Sequence, residues 1–214
     1  MENNTDIEDL KIWFYDSFLS KDQFQSVKYG TGDITFKPTE IKVSAGITTD
    51  SYSYLYYNNI AFNPKYSELI LKLNINSKIN VKAFWGFKKT LTEPSLNMTE
   101  THAGFLIINN KMYITSADGE NQQKAQIVGF DPTKIYEYKI KYNKFYYKPL
   151  PQVITYLGLP YIERVKREWK LIQINSTYPP EDETHYIFVY VKTSEPSEKY
   201  ILLNRVIYKE EYPD

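Results

Sequence analysis

Polar and apolar residues alternate at a period of two along much of this chain, and that period belongs to half-buried β-strands. Asp33–Lys37 and Glu40–Ser44 alternate and stop at Pro38 and near Gly46. Ser51–Tyr57 reads Ser-Tyr-Ser-Tyr-Leu-Tyr-Tyr, and Ile135–Tyr142 continues the same pattern. Glu68–Asn74 and Asn80–Lys88 carry more large apolar residues, as central strands do. Gly104–Ile108 and Lys111–Thr115 flank Asn109-Asn110. Asn tolerates the positive φ of a two-residue turn, so this spacing predicts a hairpin. Asp118-Gly119 predicts the next turn, before Lys124–Val128, and Gly129-Phe130-Asp131-Pro132 the next stop. Lys11–Tyr15 predicts a first strand, and Tyr186–Val191 and Lys199–Tyr208 the last two.

The stretch from Asn143 to Leu171 differs, because Pro149, Pro151, Gly158 and Pro160 interrupt it. Ile162, Val165 and Trp169 fall at helical spacing and predict a short amphipathic helix over Tyr161–Lys170. A strand leading into Trp169–Ile174 is the alternative. About a dozen strands joined by turn residues, with at most one short helix, predict an all-β, two-sheet antiparallel sandwich rather than alternating β and α units. Residues 1–9 read as a polar tail, 10–209 as one sandwich domain and 210–214 as a second tail. No repeat or linker divides the chain.

Composition narrows the function classes. The 214 residues are enough to bury about 70% of the surface an unfolded chain exposes. There is no cysteine, which excludes a disulfide framework, a thiolate metal site and a cysteine nucleophile. Lys plus Arg and Asp plus Glu both number 26. A nucleic-acid binder draws its affinity from a basic excess, so no nucleic-acid partner is expected. The polar, acidic start Met1–Asp6 is no signal peptide, and no stretch approaches the ~20 apolar residues of a membrane span. A soluble chain without membrane insertion is expected. Secretion would require a removed leader or another export route; cytoplasmic synthesis, with a virion or surface location open to it, is the expectation.

With 21 Tyr, 11 Phe and 3 Trp, the chain is rich in rings that favour strands and can also stack on sugars. Tyr52, Tyr54 and Tyr56 share one strand face, and Leu55 and Tyr57 the other. Leu55 marks the core side, which sends the even-numbered tyrosines outward, toward a ligand or toward cross-strand packing. Trp85, in phase with Phe87, Val81 and Ala83, is expected in the core. Tyr113 in the hairpin and His102 after the Thr90–Thr101 loop complete the candidate ligand contacts. His102 and His185 lie far apart and form no metal-ligand pattern. No Gly-x-Ser-x-Gly elbow or phosphate-binding glycine loop is present, and Glu181-Asp182-Glu183 beside Pro179-Pro180 reads as a solvated loop. Asn3, Asn97 and Asn175 begin glycosylation sequons.

The order of motifs resembles the concanavalin-like lectin and glucanase (laminin-G-like) jelly-roll superfamily. The matching segments are Tyr15-Asp16-Ser17-Phe18, Gly30–Val43, Ser51–Tyr57, Phe84-Trp85-Gly86-Phe87, Gly104–Tyr113, Tyr136–Ile140 and Ile201–Tyr208. The chain departs from the pattern between Asn143 and Trp169. The resemblance implies a jelly roll with a concave sugar-binding face, and in many members a structural calcium on the convex side. The positions matching that metal are Asp16 and Asn204, and Asn204 offers a neutral carbonyl where the family usually has a carboxylate. The alternative for Asn204 is an ordinary hydrogen-bond role, with no cofactor. Glucanases of this fold carry Glu-x-Asp-x-x-Glu, a run absent here, which implies a non-enzyme. A non-catalytic, lectin-like module for a carbohydrate or surface glycan is the first expectation. Usage rich in Tyr, Ile, Lys and Asn resembles proteins of thermoacidophilic archaea and their viruses. That adds a virion or surface attachment protein with protein partners as the second. A glycoside hydrolase with non-standard carboxylates is the third.

Overall fold

The computed structural model of the chain describes residues 11–16, 24–57, 63–151, 153–156, 159–162, 168–180 and 183–210. The strands are β1 (Lys11–Asp16), β2 (Phe24–Tyr29), β3 (Asp33–Lys37), β4 (Glu40–Gly46), β5 (Tyr52–Tyr57) and β6 (Ser67–Ile75). They continue with β7 (Val81–Lys88), β8 (His102–Ile108), β9 (Lys111–Ala117), β10 (Gln122–Ile127), β11 (Tyr136–Lys141) and β12 (Lys144–Pro149). The last are β13 (Val153–Tyr156), β14 (Leu159–Ile162), β15 (Lys170–Ile174), β16 (Tyr186–Thr193) and β17 (Lys199–Glu210). Sheet A runs β15-β12-β11-β6-β17-β4-β3, with β1 also on β17, and sheet B runs β10-β9-β8-β7-β16-β5-β2. Neighbours in both are antiparallel. The chain is therefore the expected antiparallel jelly-roll sandwich.

The alternation seen in the sequence puts one face of each sheet into a shared core. Leu55, Trp85, Phe87, Phe105 and Val189 from sheet B meet Leu71, Tyr138, Phe145, Leu203 and Tyr208 from sheet A. Trp85 and Phe105 each bring a ring to 5.0 Å from Tyr138, and Phe87 meets Tyr208 at 6.3 Å. Edge-to-face contacts of this kind add to simple burial. Trp85 is fully buried, as its phase with Val81, Ala83 and Phe87 predicts.

Three features depart from the expected elements. Asn109 and Asn110 both take positive φ between Ile108 and Lys111, as the hairpin requires. The hairpin joining β11 to β12, by contrast, turns on Tyr142 at φ 56°, a conformation no sequence rule assigns to tyrosine. The helix expected over Tyr161–Lys170 is corrected at both ends, while 163–167 lie outside the described residues. Tyr161 and Ile162 pair with Ile154 and Val153 in the β13–β14 hairpin, and Lys170 opens β15. Pro160 pushes the preceding residue toward extended backbone, and an isolated helix of this length is marginal without packing. Asn204 is the third. Leu203 pairs with Leu73 and Arg205 with Lys72, which makes Asn204 the extra residue of a β-bulge. The bulge resets the alternation, so Leu203 and Val206 both point into the core.

Candidate functional site

The two outer faces differ in chemistry. On sheet A, Glu68 pairs with Lys139 and Lys209, and Glu137 with Lys148 and Arg205. Lys139 and Lys148 also lie over the Trp169 ring. That face is a lattice of paired charges whose two glutamates are buried. The outer face of sheet B is aromatic. Register aligns its side chains in rows across the strands. One row is Tyr29, Tyr52, Lys192 and Lys82; the next is Val27, Tyr54, Tyr190, Phe84, Leu106 and Tyr113. A third is Gln25, Tyr56, Phe188, Gly86, Gly104 and Thr115, and the last is Tyr186, Lys88 and His102. Phe84, Met98, Leu106, Phe188 and Tyr190 form a second apolar cluster there, with Tyr52, Tyr54, Tyr56 and Tyr113 packed half-buried against it.

The tyrosines face outward, opposite Leu55, as their phase predicts, yet their ring faces are occupied. Tyr29 lies 5.1 Å from Tyr52 with planes 14° apart. Coplanar rings cannot approach so closely, so the two are offset face to face. On its other side Tyr52 meets Tyr190 at 5.8 Å and 26°. Tyr54 lies 5.2 Å from Phe188. The rings stand on the sheet as a packed wall in which Tyr52, Tyr54 and Tyr56 are half-buried and the Tyr190 hydroxyl is buried. Tyr56 donates its hydroxyl to Gln25 Oε1. Burial, then the neighbouring Tyr52 and Tyr56, raises Tyr54, so its hydroxyl stays protonated and can donate. Tyr29, on the edge strand β2, is 59% exposed and keeps an open ring face.

A cover formed by residues 89–101 lies over the β7–β9 half of this face. Leu91, Leu96 and Met98 pack onto the Phe84–Leu106 cluster. Room for the Phe84 ring comes from Gly104, where a Cβ would lie 2.4 Å from Phe84 Cζ. Lys124 Nζ donates to Leu96 O at 2.8 Å. Beneath the cover, the fully buried Lys88 ammonium pairs with Glu100 and donates to Thr92 Oγ1 at 2.7 Å. Burial lowers the Lys88 ammonium despite that pair. His102 Nδ1 lies 2.7 Å from Glu100 O and Nε2 lies 2.8 Å from Thr115 Oγ1. Gln122 Nε2 also donates to Thr115 Oγ1, at 2.9 Å. The carbonyl fixes the proton on Nδ1, leaving Nε2 as acceptor. His185 Nε2 lies 2.9 Å from Thr101 Oγ1, which donates to Glu183. Burial lowers both imidazoles to about 4.

At the Tyr29–Tyr52 end, the face runs into a cavity of about 520 Å³ lined by Asp50, Asn80, Lys82, Asn109, Asn110 and Lys192. Lys192 lies 3.2 Å from Asp50 and 3.4 Å from Glu93, which also binds Lys82. Burial works against the Lys192 charge, but Asp50 and Glu93 outweigh it and hold the ammonium above its ordinary value.

The expected contacts are thus only partly gathered. Tyr52, Tyr54 and Tyr56 stand together. Tyr113 shares their face four strand steps away, about 19 Å at ordinary strand spacing. His102 is fully buried with both nitrogens engaged, between the Glu100 carbonyl of the cover and Thr115. Asp16 pairs opposite Val206, two residues from Asn204, and Asn204 Oδ1 is buried with no hydrogen-bond partner among the described residues. Calcium takes six to eight oxygens. No group of three or more His, Asp or Glu able to hold a metal occurs among the described residues, so those residues alone do not fit it. Tyr29, Asp50, Lys82 and Lys192 escaped the sequence reading, because their convergence depends on strand pairing that periodicity does not encode. Besides Asp50, the face is bordered by Glu93, Glu100 and Glu183. Burial would raise each, but Lys82, Lys88 and Lys89 respectively hold them below the ordinary range. The outward residues of β7 are Lys82, Phe84, Gly86 and Lys88, without a carboxylate. Asn175 is buried and donates to Ser116 Oγ, whereas Asn97 is exposed.

Comparison with known proteins places the architecture. No protein-family model and no curated protein matches the sequence. Solved structures do match. A structure described for the endo-acting O-glycanases with which members of the human gut microbiota initiate mucin breakdown is 12% identical, with TM-score 0.59, over 94% of this chain and 100% of that one. The Ca²⁺- and Man3GlcNAc-bound exoplasmic/lumenal domain of VIP36 is 10% identical, with TM-score 0.55, over 91% and 86%. The carbohydrate recognition domain of Emp47p is 9% identical, with TM-score 0.53, over 89% and 90%. The chain therefore has the concanavalin-like lectin fold. VIP36 has been seen both with Ca²⁺ and metal-free. Among the described residues, no helix is long and apolar enough to cross a membrane.

Proposed function

We propose that this protein is a non-catalytic carbohydrate-binding module whose site is the outer face of sheet B, along Tyr29, Tyr52, Tyr54 and Tyr56. The observation that carries this reading is a wall of half-buried tyrosines whose Tyr52 lies opposite Lys192, a lining residue of a cavity that also holds three asparagines and Lys82. Phenol hydroxyls and amides match the alternating donors and acceptors of a sugar. The open face of Tyr29 supplies the stacking surface. Tyr113, on the far side of the same face, would meet only an extended glycan. Neighbours described by their carbohydrate ligands support this use of the fold. A general acid needs a raised pKa, and Glu93, Glu100 and Glu183 are shifted the other way. No metal is required by this reading. A glycan array with the wild type and Tyr52→Ala tests it. Binding of a defined glycan class that the variant loses is expected, and equal binding by both would remove the site.

One observation favours a second reading, attachment through protein partners: β15 is an edge strand of sheet A that exposes Leu171 and Ile174, each about half accessible. Light scattering on wild type and Leu171→Lys separates the two. An oligomer dissolved by the substitution supports attachment; a monomer leaves β15 a simple edge.

A further inference from the structure

Lys82 and Lys192 stand directly opposite each other on adjacent central strands. Like charges in that relation destabilise a sheet unless an anion lies between them. Glu93, from the cover, is that anion. Its Oε1 takes Lys82 and its Oε2 lies 3.4 Å from Lys192 Nζ. Asp50 takes Lys192 from the other side, at 3.2 Å. The cavity of about 520 Å³ opens on both ammonium groups and on Asp50, with Asn80, Asn109, Asn110 and Ser194 around them. Glu93 is not part of its lining, so the cavity wall carries two cations against one carboxylate.

We propose that this cavity is an anion subsite, that Glu93 is its internal occupant in the free protein, and that its ligand is the carboxylate or sulfate of an acidic sugar. The sugar rests on the carbohydrate reading above; the anion site does not. The Glu93 pairs are weak enough to exchange, because the side chains keep 25% and 21% exposure on the lysines and 39% on the glutamate. An incoming anion can bridge the two lysines as Glu93 does, while the rest of its sugar reaches the Tyr52 hydroxyl edge. Tyr52 lies opposite Lys192 in the same row. Displacing Glu93 also frees the middle of the cover, whose ends stay tied through Lys88–Glu100 and the Lys89–Thr101 backbone bond.

The test uses inorganic sulfate, galactose and galactose 6-sulfate, titrated calorimetrically at constant ionic strength into wild type, Glu93→Gln and Glu93→Gln/Lys192→Gln. Glu93→Gln keeps the shape of the latch and removes its charge. It should bind sulfate about ten-fold tighter than wild type, the size of one charge-assisted contact, and the added Lys192→Gln should abolish the gain. Galactose 6-sulfate should bind wild type tighter than galactose. No gain in Glu93→Gln, or a gain that survives Lys192→Gln, overturns the anion site. A gain for sulfate with neither sugar bound keeps the anion site and removes the carbohydrate reading. Equal binding of both sugars without a sulfate gain does the reverse.

Discussion

Mild acid should destabilise this protein through two imidazoles. His102 and His185 are fully buried and neutral, each lowered by burial from 6.5 to about 4. Desolvation makes charging them costly, and the neighbouring Lys88 and Lys89 ammonium groups add to it at His102 and His185 respectively. His102 Nε2 accepts from Thr115, and a second proton there would place a positive charge in the interior beside the buried Lys88 ammonium. A depressed histidine pKa means that the unfolded chain binds more protons between the two values. Stability is therefore complete above 6.5 and falls as pH drops toward 4. From about pH 8 to about pH 5, each histidine removes about 2 kcal/mol, so the pair removes about 4 kcal/mol. The carboxylates add little in this window: one with an ordinary value of 4.5 contributes about 0.2 kcal/mol at most by pH 5. That total is a large share of the ~5–15 kcal/mol that holds a domain folded.

Urea unfolding followed by tryptophan fluorescence, at the two pH values, measures the effect. Wild type should lose about 4 kcal/mol and His102→Gln about 2 kcal/mol, since only His185 then titrates in the window. A wild type equally stable at both pH values, or a His102→Gln variant with the full wild-type loss, would refute the assignment of buried neutral imidazoles.

Other consequences follow from the same face. Gly104→Ala places a Cβ 2.4 Å from Phe84 Cζ and 2.8 Å from Trp85 O, and should cost about 1–3 kcal/mol by chemical denaturation; a neutral outcome would mean that Phe84 is not held over Gly104. Tyr54→Phe should change stability by no more than about 0.5 kcal/mol while weakening glycan binding several-fold by calorimetry, because it removes only the solvent-side hydroxyl; unchanged affinity would take Tyr54 out of the site. Chelation with EDTA should leave the melting temperature unchanged, because the described residues gather no group of three or more His, Asp or Glu that could hold a metal; a fall reversed by calcium would show a site built on other oxygens.

The layers of this fold are readable in the chain because burial and strand period coincide. Leu55, Trp85 and Phe87 announce the core side of sheet B, and Asn109-Asn110 announces a turn whose backbone only a few residue types accept. Elements whose signal is tertiary are not readable. β2, Phe-Gln-Ser-Val-Lys-Tyr, is an edge strand with a weak pattern, and the Tyr142-Asn143 turn puts its positive φ on the tyrosine rather than on the asparagine that accepts it more readily. The helical spacing of Ile162, Val165 and Trp169 misleads at its ends, because spacing is a local cue and the β13–β14 pairing is a local competitor. At the site, the outward phase of Tyr52, Tyr54 and Tyr56 could be derived from Leu55. That their faces would be covered by Tyr29 and Tyr190 could not, since it depends on which strands flank β5. The opposition of Lys82 and Lys192 likewise appears only once β7 and β16 are paired.

The central claim is that the tyrosine face of sheet B binds sugar. Nuclear magnetic resonance of protein labelled at the tyrosine rings, titrated with mannose, galactose and N-acetylglucosamine oligosaccharides, tests it most directly. Saturable shifts at Tyr29, Tyr52, Tyr54 and Tyr56 are predicted for at least one of these series, with the rings of Tyr138 and Tyr208 in the core unmoved. Shifts confined to Tyr146, Tyr147 or Tyr200 of sheet A, or no shift with any of the three, would contradict it.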